Sequence, residues 1–182
     1  MGIFSRIFGA GGGEQPAPER DEQAAAPDGG YDVADVYRGL REQVLGLAGD
    51  PSFQADGPIA LLMETGYPGA VVSLVAIADG TTSLYFSNGG GVIGAGTHDA
   101  VRAASARLLE AAAASAEQMA PAAACPLPAL GQVRFHLLAA DGIRAAEAPE
   151  QDLGHNRHPL SPLFHLAHAV IAAIREHTPD GG

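Results

Sequence analysis

Twice in this chain an Asp-Gly pair stands between two short apolar runs, and this constrains the fold more than any other feature. Asp79-Gly80 separates Val71–Ala78 from Thr82–Ser87, and Asp141-Gly142 separates Val133–Ala140 from Ile143–Ala148. Asp-Gly readily supplies the two positive-φ positions of a tight hairpin turn, so each pair predicts two antiparallel strands in fixed register. A two-residue turn at Asp79-Gly80 sets Ala78 opposite Thr81, Ile77 opposite Thr82, Val75 opposite Leu84 and Ser73 opposite Phe86. One face then carries Val71, Val75, Ile77, Leu84 and Phe86 and is assigned to the main core. The other, with Val72, Leu74, Ala76 and Tyr85, is too apolar for open water and calls for a covering helix or a second subunit. The second turn sets His136 opposite Glu147.

A further strand, Ile59–Glu64, precedes the first hairpin across a turn at Tyr67-Pro68-Gly69. Helical spacing marks three segments. The first runs from Val33 to Leu47, with Asp32 as N-cap, an apolar stripe of Val33, Val36, Tyr37, Leu40, Val44 and Leu47, and a stop at Gly49-Asp50-Pro51. The second starts at Thr97 as N-cap, carries Val101, Ala104, Leu108, Leu109, Ala112 and Met119, and ends at Pro121. The third starts at Ser161 with Pro162 in its first position, carries Leu163, Ala167, Val170, Ile171 and Ile174, and ends near His177. The order α-β-β-β-α-β-β-α predicts an α+β fold: a five-stranded, mostly antiparallel sheet with three packed helices, preceded by a flexible tail. At the level of architecture this resembles small five-stranded sensor and scaffold domains of the profilin or roadblock type, with the strands grouped three plus two. Such a likeness implies a fold and no function.

Four segments are expected: an amphipathic stretch at 1–8, a disordered linker at 9–30, one globular domain at 31–178 and a frayed end at 179–182. Ile3, Phe4, Ile7 and Phe8 share one face of a short helix. Residues 14–30 are rich in Pro, Ala, Glu, Asp and Gly and cannot bury enough apolar surface to order themselves.

Composition removes several chemistries. All ten basic residues are arginine, so neither a Schiff-base lysine nor a P-loop lysine exists here. The net charge of −11 repels nucleic-acid phosphates, so no nucleic-acid partner is expected. The single cysteine, Cys125, permits no internal disulfide, which fits a cytoplasmic setting. No run of about 18 apolar residues predicts a membrane span. No motif implies a cofactor.

Three groups of residues are candidates for chemistry. The stretch Asn88-Gly89-Gly90-Gly91-Val92-Ile93-Gly94-Ala95-Gly96-Thr97-His98 links a strand to a helix start. Bare backbone N–H groups at a helix N-terminus can hold an anion or a nucleotide phosphate, with Asn88, Gly89, Gly91, Gly94, Gly96, Thr97 and His98 as the contacts. Glycines also simply supply positive φ in a wide turn, and Gly89, Gly91 and Gly94 match a dinucleotide-loop spacing without the parallel strand that such a loop needs. Histidines His155, His158, His165 and His168 repeat H-x-x-H and could surround a metal ion, although His165 and His168 lie off the apolar stripe. His136 with Glu147, near Glu64 or His98, could pair as a general base, although no positioned nucleophile accompanies it. The leading expectation is a non-catalytic interaction or sensor-like binding domain that associates with a protein partner or with itself. Ile3, Phe4, Ile7 and Phe8 offer a docking segment for a partner or a membrane surface.

Overall fold

The computed structural model describes residues 30–50, 52 and 57–178. The expected segments 1–8 and 179–182, and all of 9–30 but its last residue, lie outside them. The elements in chain order are α1 (Asp35–Leu45), β1 (Ala60–Tyr67), β2 (Ala70–Ile77), β3 (Thr82–Phe86), β4 (Gly91–Val92), α2 (Asp99–Ala114), β5 (Ala120–Pro121), β6 (Gln132–Ala139), β7 (Gly142–Pro149), α3 (Glu150–Gly154) and α4 (Ser161–His177). They form one antiparallel sheet of seven strands in the order β4-β3-β2-β1-β6-β7-β5. The five expected strands are its centre. The two additions are two-residue strands, β4 and β5, one on each edge. Runs that short carry no periodicity that a sequence can display. The five residues of α3 were also not expected, for the same reason.

The first hairpin differs from its expected register by one residue. Gly80 N–H donates to the Ile77 carbonyl and Ile77 N–H to the Thr81 carbonyl, both at 2.9 Å. Gly80 has φ 90°, and the Asp79 carboxylate accepts from Thr81 N–H at 2.8 Å. This is a three-residue loop, a type I turn closed by a glycine bulge, which Asp-Gly serves as well as the two-residue turn. The observed rungs are therefore Leu74 opposite Leu84, Ser73 opposite Tyr85 and Val72 opposite Phe86. A slip of one exchanges the faces of one strand relative to the other. Leu84 joins Leu74 and Ala76, and Tyr85 joins Val75 and Ile77.

The second hairpin is displaced by two. Ala139 pairs with Gly142 (φ 125°), leaving Ala140-Asp141 as the loop. Each side chain keeps its face but changes partner: Arg134, not His136, stands opposite Glu147, and His136 stands between Ala145 and Leu62.

Both faces of the sheet are covered within the chain. On one, α2 and α4 pack side by side over Leu61, Met63, Leu74, Leu84, Val133, Phe135 and Leu137. The five stripe residues expected on α4 are all buried. This face has almost no polarity; Thr82 and Ser105 share one hydroxyl contact of 2.7 Å between β3 and α2. On the other, α1 lays Tyr37, Leu40 and Val44 over Leu62, Val75, Ile77, Tyr85 and Leu138. The face of Val72, Leu74 and Ala76, for which a second subunit is the alternative, is thus covered by α2 and α4 of the chain itself, while Val75 and Ile77, assigned to the main core, lie under α1. Helix caps were less legible. Ala34, His98 and Leu160 occupy the N-cap positions, none with a side-chain cap bond, where Asp32, Thr97 and Ser161 were expected.

Candidate functional site

The α1-covered face carries a polar belt running straight across the sheet. Tyr85 on β3, Ser73 on β2, Glu64 on β1, Arg134 on β6 and Glu147 on β7 are successive register partners and point to the same side. Glu64 lies at its centre and is wholly buried. Arg41 of α1 donates to both of its oxygens, Nε at 2.7 Å and a terminal nitrogen at 2.8 Å. The Tyr37 hydroxyl donates at 3.0 Å and the Ser73 hydroxyl at 3.4 Å. His136 Nε2 lies 3.2 Å from the second oxygen. Arg41 spends a further N–H on the Cys125 carbonyl at 2.7 Å, tying the loop before β6 to α1.

Burial alone would raise the Glu64 carboxyl, but the hydrogen bonds and charge of Arg41 and His136 outweigh it and hold the group at about 2. Burial acts in the same direction on Tyr37 and Tyr85 and is not outweighed there, so their phenols are pushed well above their ordinary value, with the Glu64 charge adding to the effect. A carboxylate with so low a pKa, already met by four side chains, is a poor proton acceptor near neutral pH. Its geometry is that of an anchor: it fixes α1 to the sheet. Two buried polar atoms beside it, His136 Nδ1 and the Tyr85 hydroxyl, have no protein partner.

Two clefts flank α1. One of about 250 Å³ is bounded by Val33, Tyr37, Arg41, Cys125 and Leu127. Burial raises the Cys125 thiol there, so it is not activated as a nucleophile. The other, about 190 Å³, lies between α1 and the glycine stretch, and is lined by Val36, Leu40, Tyr85, Ile93 and the backbone of Gly89–Gly91. Val36 is 59% exposed and Ile93 45%, two of the three large apolar side chains left open among the described residues.

The glycine stretch is split in two by β4. Gly89, Gly90 and Gly91 all have positive φ and wall the second cleft. A Cβ on Gly91 would strike the Leu84 carbonyl and the Tyr85 backbone. Gly96, beyond β4, rests against the Gly80 carbonyl, where no side chain fits. Asn88, Thr97 and His98 are exposed, and the His98 ring sits 5.4 Å from that of His177. The four other histidines are engaged separately. His155 contacts the Gln151 carbonyl, His158 accepts from Leu160 N–H, and His165 pairs with Asn156. The His168 ring lies tilted against that of Phe164, centroids 4.3 Å apart, and burial lowers its pKa. Among the described residues, no three His, Cys, Asp or Glu side chains are grouped to share one ion.

Sequence reasoning placed Glu64 near His136 only as one option and did not pair it with Arg41. A usable signal existed: Glu64 is the one charge between Ile59 and Ala78, and Arg41 lies four positions, about one helical turn, after Tyr37 of the apolar stripe. No helix among the described residues is long and apolar enough to cross a membrane. Comparison with protein-family models, with curated proteins and with solved structures finds no match to this chain.

Proposed function

We propose that this is a non-catalytic interaction domain whose recognition surface is the groove between α1 and the Gly89–Gly91 wall. The observation that carries this reading is the juxtaposition of Val36 and Ile93, both exposed, on either side of a 190 Å³ apolar cleft. Exposed apolar side chains around a concavity are the ordinary signature of a surface that receives apolar side chains from a protein. The glycines support the same reading, because backbone without side chains lets a guest approach closely. Glu64 and Arg41 serve the surface from beneath by holding α1, one wall of the groove, at a fixed position.

Photo-crosslinking in the host cell tests this. A benzophenone side chain in place of Ile93 should yield a discrete crosslinked product that Val36→Asp removes. The same group in place of Arg107, exposed on α2, should not yield it. No product at position 93, or one shared with position 107 and indifferent to Val36→Asp, would refute the reading.

A further inference from the structure

We infer that this groove is occupied in cis by the chain's own residues 3–8. The inference rests on the groove being a recognition surface, and adds what fills it. The described chain begins at Gly30, five residues before α1, whose first turns form one wall of the cleft. Gly30 stands six positions before Val36, the first groove residue of α1, and the Tyr31 side chain between them reaches Gly66 and Ala129. From Phe8 to Gly30 the tether is 22 residues, and a flexible chain of that length spans on the order of 25 Å. That is enough to reach a wall built from Val36 and Leu40. A tethered segment acts at an effective concentration near the millimolar range, so weak affinity suffices.

The chemistry also matches. Ile3, Phe4, Ile7 and Phe8 fall on one face of a helix. A cavity of about 150 Å³ takes one benzene ring, so 190 Å³ accommodates one phenylalanine ring of the segment with room beside it. Arg6 is the only charged side chain in residues 1–13, within a chain of net charge −11. Asp32 and Asp35 are exposed where α1 begins, Asp35 in contact with Arg38. A cationic, apolar segment is thus joined to an apolar groove in a chain of strongly negative charge.

The test uses the full chain, labelled with ¹⁵N, beside the Phe4→Asp/Phe8→Asp variant, whose substitutions lie outside the domain and spare its folding. The expected result is amide shifts concentrated at Val36, Leu40, Tyr85, Gly89–Gly91 and Ile93, unchanged on dilution. Crosslinking of a partner from position 93 should rise in the same variant, because the groove is freed. Unmoved groove resonances overturn the inference; if position 93 still captures a Val36-dependent product, the groove reading survives without it. Shifts that fade on dilution overturn it in favour of a second copy's segment. Cosedimentation with phosphatidylglycerol vesicles that depends on Phe4 and Phe8, with the groove unmoved, overturns it in favour of a lipid surface.

Discussion

The two faces of this sheet are held by different physics. Under α2 and α4 the contact is nearly all hydrocarbon, with Phe135, Leu108 and Leu163 buried and the Thr82–Ser105 hydroxyl pair joining β3 to α2. Under α1 the hydrocarbon half, around Leu62, Val75 and Leu138, gives way to a half built on one ionised carboxylate and the donors gathered on it. Apolar packing is tolerant of direction, whereas a bidentate arginine is not. The first face can therefore supply most of the driving force for folding. The second fixes where one helix sits. A surface that must present a groove of defined width needs that second kind of contact.

The largest expected effect contrasts the two. Arg41→Ala leaves Glu64 buried without its main partner and should cost about 3–5 kcal/mol. Phe135→Ala on the other face should cost a similar amount by leaving a cavity. They separate in combination. Adding Glu64→Gln should recover much of the Arg41→Ala loss and none of the Phe135→Ala loss, as read by urea denaturation of the single and double variants. A simple sum in both pairs would break the contrast.

Acidity should act on one face only. The Glu64 carboxyl is held at about 2, against an ordinary value of 4.5. Its contribution is fully present above about 4.5 and is lost as pH falls towards 2, because protons then bind the unfolded chain more readily than the folded one. Urea midpoints measured down this range should fall less steeply in Glu64→Gln than in the parent. Equal slopes would mean that the carboxylate is not what responds.

Backbone strain in the groove wall gives a smaller effect. Gly91→Ala meets both positive φ and the Leu84 and Tyr85 backbone and should cost about 1–3 kcal/mol. Gly89→Ala, with open space around its Cβ, should cost less, on the order of 1 kcal/mol. Thermal melts of the pair rank them, and the reverse order would deny the close approach at Gly91. Smallest of all, Ile93→Asp should change stability by no more than about 0.5 kcal/mol, since the side chain is exposed. A large loss of stability there would mean that Ile93 belongs to the core.

Much of this architecture was legible in the residues. The strand-rich runs, both hairpins and the buried stripe of α4 follow from periodicity and turn chemistry alone. Register was not, because Asp79-Gly80 fits a two-residue and a three-residue loop equally well, and the choice between them depends on which face the rest of the sheet demands. The site was legible only in part. The glycines announced an unusual backbone at 89–91, but that they face Val36 and Leu40 depends on the path of α1 over the sheet. Glu64 was visible as a lone charge in an apolar strand. Its link to Arg41 joins residues 23 positions apart on elements whose packing no local pattern specifies.

The belt from Tyr85 through Ser73 and Glu64 to Arg134 and Glu147 also works as a proofreading device during folding. Each of these side chains occupies one rung of a different strand, and β2 and β6 must present Ser73 and His136 on the side of Glu64 for the carboxylate to meet them, as Arg134 must to meet Glu147. A strand that pairs one residue out of step sends its member of the row to the opposite side, among hydrocarbon, and strands the rest. Uniform apolar strands such as β2, Ala-Val-Val-Ser-Leu-Val-Ala-Ile, would otherwise tolerate such an error, because both of their sides are greasy. In this sheet a single serine makes the misaligned copy recognisably wrong.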